Sequence, residues 1–198
     1  GYPLLTAGRP PLPAARFAWT MSYFAVIGWA FMLIQIGFLQ RFAVYLGHPT
    51  YTLAVVLFSM LLATGAGSLA SERLRTGGRL RVVPLAIAAA LVLVALAVPA
   101  LLSATMASSL AVRTAIVLGI TAPVAVLLGM CFPIGVRLID DAPLVVAWAW
   151  GVNGAFSVLA SILAVVLSIW IGIDANFWVA SALYAALALP MTKLARRP

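Results

Sequence analysis

A chain of 198 residues that is 65% hydrophobic and only 8% charged, with a mean hydropathy of +1.17, lacks the polar surface a water-soluble domain needs to cover its core. The net charge of +8, twelve Lys and Arg against four acids, is concentrated at the ends of apolar runs, which fits membrane topology and anionic lipid headgroups and argues against nucleic acid as a partner. A single cysteine, Cys131, excludes a disulfide within one chain.

Residues 1–16 are rich in Pro and Gly, so they read as a linker or N-terminal tail, and the missing initiating Met fits either a piece of a longer protein or processing of the N-terminus. Six apolar runs follow, at about 17–40, 51–71, 82–102, 114–137, 145–171 and 177–194, each of a length to cross roughly 30 Å of hydrocarbon as a helix. Residues 195–198 form a basic C-terminal tail. The fold class is therefore all-α: a polytopic integral membrane protein with six transmembrane helices. Strands are excluded because the runs neither alternate nor stop at about ten residues.

If the six spans alternate sides, Arg9, Arg16, Arg73, Arg75, Arg79, Arg81, Arg137, Lys193, Arg196 and Arg197 share one face, and only Arg41 and Arg113 lie on the other. The positive-inside rule then makes both termini of this multi-pass protein cytoplasmic. The segment 40–51, QRFAVYLGHPTY, falls on the outer side. There Gly47 permits an unusual backbone angle and Pro49 suits a first helical position, so His48, the only histidine, reads as part of a turn. Arg41 departs from the topology rule and is expected to pair with helix-end carbonyls, a lipid phosphate or the neighbourhood of His48.

In the second run Thr64 to Ser68 and Gly67 to Ser71 place small residues at four-residue spacing, a pattern that lets helices approach closely; Gly65, Gly67 and Ser68 are the packing candidates. The loop 71–81, SERLRTGGRLR, loosely resembles the basic, glycine-containing loop between the second and third helices of major-facilitator transporters. Its arginines equally serve to fix orientation. The fourth run holds Pro123 and Pro133, each removing a backbone hydrogen bond, so a kink or break is expected, either for packing or to open backbone carbonyls to a central site. Cys131 has no neighbouring His or acid to activate it and reads as structural.

The fifth run opens with Trp148 and Trp150, read as an interfacial belt, and Gly151 and Gly154, read as packing residues. Asn153, Ser157 and Ser161 follow at i, i+4, i+8, and Ala164 and Ser168 extend their helix face toward the bundle. An intramembrane Asn must find a partner, as interhelical glue or as a substrate contact. Glu72, Asp140, Asp141 and Asp174 all lie in loops or at helix ends, and no Ser-His-Asp order, HExxH, CxxC or GxGxxG is present. No catalytic residue, metal site or cofactor is expected.

The stretches 28–35 (GWAFMLIQ), 40–42 (QRF), 46–51 (LGHPTY), 55–59 (VVLFS), 65–68 (GAGS), 128–135 (LGMCFPIG) and 148–159 (WAWGVNGAFSVL) occur in an order that resembles the C-terminal membrane region of bacterial spermidine-synthase-like integral membrane proteins. The resemblance covers most of 17–189. It implies a membrane region joined to a soluble aminopropyltransferase-like domain that binds a decarboxylated S-adenosylmethionine type of ligand, a domain with no counterpart in these residues. The family motif commonly has Glu where this chain has Gln35. That change keeps hydrogen bonding but removes a charge suited to a polyamine or a proton.

The expected function is a membrane anchor and assembly unit with a transporter-like cavity. Alternatives are an accessory subunit of a larger membrane complex, or half of a major-facilitator-like carrier. The expected polar cluster comprises Gln35, Asn153 and Ser157 beside Pro133, with Arg41 and His48 at its outer mouth. Expected partners are the lipid bilayer and a soluble aminopropyltransferase-like domain, other membrane subunits or a second copy.

Overall fold

The computed structural model describes residues 13–73, 82–139 and 143–195. These form α1 (Ala14–Leu46), α2 (Pro49–Ala70), a 3-10 turn (Ser71–Arg73), α3 (Val82–Ala104), α4 (Leu110–Leu138), α5 (Pro143–Trp170), α6 (Asp174–Ala186) and α7 (Ala188–Ala195). Five of them, α1 to α5, are long and apolar enough to cross a membrane. The protein is a multi-span helical membrane protein. The linker 1–12, loop residues 74–81, Asp140, Asp141 and the tail 196–198 lie outside the described residues.

The sixth expected span, 177–194, is divided. Helices α6 and α7 meet at Leu187, and the cause is Pro190: it has no N–H for the carbonyl of Ala186, one turn earlier. The helical path is otherwise kept, since Leu187 donates to the Leu183 carbonyl at 3.0 Å and Met191 to the Leu187 carbonyl at 3.3 Å. The expected break in the fourth span is absent, because α4 runs unbroken through both Pro123 and Pro133. Each proline stands four residues after a glycine, Gly119 or Gly129, whose freer backbone can tilt to relieve the ring's clash with that carbonyl.

Helix α1 is the central element. It packs chiefly on α5, then on α6, and touches α2, α4 and α7; α2 packs on α4, and α3 on α6. Its buried side chains recur every three or four residues from Thr20 to Leu46, a broad stripe that suits a helix enclosed by several neighbours. Polar cross-links fix the direction of each pair. Phe24 with Asn153, Gly28 with Ser157 and Gln40 with Ser168 are 129, 129 and 128 residues apart, so α1 and α5 run parallel. Tyr51 with Thr114, Ser59 with Thr121 and Ser71 with Arg137 are 63, 62 and 66 apart, so α2 and α4 are parallel too.

Glycine decides how closely these pairs approach. A Cβ on Gly28 would strike the backbone of Asn153, one on Gly67 the Val126 carbonyl, and one on Gly129 the backbone of Thr64. Gly67 therefore sits in a helix contact, whereas a Cβ on Gly65 or Gly154 would meet nothing within 4 Å. Gly151 and Ser68 are half-buried. Helix α5 buries only Val145, Ala149, Ala160 and Ala164 fully, and presents Val158, Leu159, Ile162, Ile169 and Trp170 outward. In hydrocarbon those residues are solvated by lipid tails and need no protein cover.

Candidate functional site

Between the α1–α5 pair and the α2–α4 pair lies a cavity of about 480 Å³. Its walls come from Ile27, Gly28 and Phe31 of α1; Leu61, Thr64, Gly65 and Ser68 of α2; Leu128, Gly129, Cys131, Phe132 and Pro133 of α4; and Trp150, Asn153 and Ser157 of α5, with Tyr184 of α6. The space exists because small residues line the α2 flank while Phe31, Phe132 and Trp150 hold the opposite walls apart. Phe132 and Trp150 pack with ring centroids 4.4 Å apart. Trp150 is thus part of the cavity rim, and Trp148 is half-buried against Phe17 at 5.9 Å.

The polar groups in the walls are mostly committed to helix contacts. Asn153 Nδ2 donates to the Phe24 carbonyl at 3.1 Å; Ser157 Oγ is 3.2 Å from the Gly28 carbonyl and 2.8 Å from that of Asn153; and Thr64 Oγ1 donates to the Met60 carbonyl at 2.7 Å. No Asp, Glu, Lys, Arg or His is among the lining residues. The walls suit an apolar or weakly amphipathic molecule and offer a polycation no counter-charge.

Of the five residues expected to form one polar site, Asn153 and Ser157 share this cavity with Pro133. Gln35, half-buried on α1, does not line it. Arg41 and His48 do not line it either. His48 is exposed and caps α2 with its backbone only: its carbonyl accepts from Thr52 N at 2.9 Å, and Gly47 takes a left-handed φ of 79° just before it. Arg41 pairs with Asp174, at the start of α6, and its guanidinium lies 5.3 Å from the centre of the Phe177 ring.

Around that ion pair is a second polar cluster that sequence spacing does not reveal. Asn176 Nδ2 donates to Ser168 Oγ at 2.7 Å and to the Ala164 carbonyl at 3.2 Å, and Ser168 Oγ donates to Gln40 Oε1. Arg41 Nη1 and Asn176 Oδ1 are buried and have no partner among the described residues. The only local signal for this cluster is a polar Asp-x-Asn pair just ahead of an apolar run. Among the described residues no group of three or more His, Cys, Asp or Glu could hold a metal ion. No family model, curated protein or solved structure matches the chain.

Proposed function

We propose that this chain is the membrane-embedded module of a bacterial spermidine-synthase-like integral membrane protein, an inner-membrane anchor and assembly unit with both termini cytoplasmic and a ligand cavity between its helices. One observation carries the reading. Four of the motifs on which the resemblance rests, at 28–35, 65–68, 128–135 and 148–159, come from four different helices and converge on the walls of one cavity. Packing alone would let motif residues scatter over many helix contacts.

The motifs at 40–42, 46–51 and 55–59 lie outside the cavity's walls, the second of them at the α1–α2 turn. An accessory structural role is the second reading, favoured by the donors that Asn153 and Ser157 spend on α1 carbonyls. Native mass spectrometry of the purified chain separates the two. Under the ligand reading, wild type retains a bound small molecule that Gly65→Leu, which fills the cavity from a position with open space at its Cβ, does not. Equal occupancy in both proteins, or none in wild type, would leave the structural role standing.

A further inference from the structure

We infer that the cavity holds an acyl chain of an anionic phospholipid whose phosphate lies on Arg137. The inference rests on the reading of the cavity as a ligand site and names the ligand's class.

Four features converge on it. The lining is apolar, and its amide and hydroxyl donors are largely taken by helix carbonyls, which leaves little to recognise a polar substrate but a good surface for hydrocarbon. Two lining residues on facing helices, Leu61 of α2 and Trp150 of α5, are 72% and 61% exposed, so the cavity opens sideways where lipid tails lie.

Depth is the third feature. Thr64 is six residues from the end of α2, Gly129 nine from the end of α4, and Asn153 ten from the start of α5. At 1.5 Å per residue these place the middle of the cavity roughly 10–15 Å below one end of the bundle, with Ser68 nearer that end and Ser157 about 20 Å from it. That end carries the basic residues Arg73 and Arg137.

Arg137 supplies the fourth feature. It stands one helical turn beyond the lining residue Pro133, and its Nη2 donates to the Ser71 carbonyl at 2.9 Å, at the end of α2. The guanidinium therefore ties the ends of the two helices that form one cavity wall. Arg137 is exposed, so its guanidinium can also face a headgroup. A planar guanidinium with remaining N–H donors suits a phosphate, and basic sites at the cytoplasmic ends of membrane helices are recurring places for anionic lipid.

The test uses the full chain in neutral detergent and follows its thermal midpoint with added phosphatidylglycerol, phosphatidylcholine or inorganic phosphate. Phosphatidylglycerol should raise the midpoint by about 5 °C, phosphatidylcholine by less than half as much, and inorganic phosphate not at all. Gly65→Leu should lose the rise with both lipids, and Ser68→Leu is the second cavity-filling variant should the first not fold. Gly154→Leu, equally open at its Cβ but outside the cavity, should keep the rise. Arg137→Gln should keep a rise but lose the preference for phosphatidylglycerol.

A full rise in both cavity-filled variants, an unchanged headgroup preference in Arg137→Gln, or a response to inorganic phosphate equal to that of lipid would overturn the assignment. If native mass spectrometry shows a cavity occupant that is not a phospholipid, the lipid assignment fails while the ligand reading survives.

Discussion

Residues that act alone in the sequence act in pairs in the fold, and Arg41 is the clearest case. Its side chain is only 10% exposed, while that of its partner Asp174 is 47% exposed, so the pair lies between the surface and buried limits. Surface pairs contribute about 0–1 kcal/mol, whereas removing one member of a buried pair costs about 3–5 kcal/mol. Asp174→Ala should therefore lose about 2 kcal/mol of resistance to denaturant-induced unfolding in detergent, because it leaves a largely buried guanidinium without its counter-ion. Adding Arg41→Met should recover most of that loss. A double variant as weak as Asp174→Ala would show that the guanidinium itself, through Phe177, supplies the stability. His48→Ala should change stability by less than about 0.5 kcal/mol, since only its backbone caps α2. The face shared by Asn153 and Ser157 was legible from four-residue spacing. The partner of Arg41 was not, because 133 residues separate it from Asp174 and no local pattern encodes such a contact.

At the scale of helices, glycine and proline carry opposite lessons. Small residues in the second span announced close packing, but which of them touch a neighbour depends on helix rotation, and 3.6-residue periodicity puts Gly65 and Gly67 on different faces. Gly67→Leu should cost more than about 3 kcal/mol by driving a side chain into the Val126 carbonyl, whereas Gly65→Leu should be neutral or slightly stabilising through helix propensity. Equal losses in both, read by unfolding in mixed micelles, would mean that α2 has a different rotation. The prolines of α4 pointed to a break from composition alone, yet the helix persists because neighbouring hydrogen bonds on both sides hold it and glycines precede the rings by four residues. Pro123→Ala should accordingly restore a bond to the Gly119 carbonyl and gain on the order of 1 kcal/mol. A loss would show that the proline is required by a neighbouring contact.

For the whole molecule, apolar run length made five spans legible with ends displaced by a few residues, since helix termini extend into interfacial sequence that hydropathy does not count as membrane. The sixth was harder to read because Pro190 interrupts a run that remains apolar. Parallel pairing of α1 with α5 and of α2 with α4 is what alternation of successive spans requires, and that alternation is the premise on which the arginines sort to one face. The proposed orientation then has a direct consequence for chemical access. Cys131 is the only cysteine and is 2% exposed, which provides a background of low reactivity for single-cysteine labelling. In intact cells a membrane-impermeant maleimide should label Thr50→Cys, at the start of α2 beyond the Gly47 turn, and should label Glu72→Cys, in the 3-10 turn at the other end of the same helix, only after permeabilisation. Both positions are exposed, so the difference reads sidedness and not burial. The reverse pattern would place the basic loops outside, contradict the positive-inside assignment, and move the proposed lipid site to the opposite leaflet.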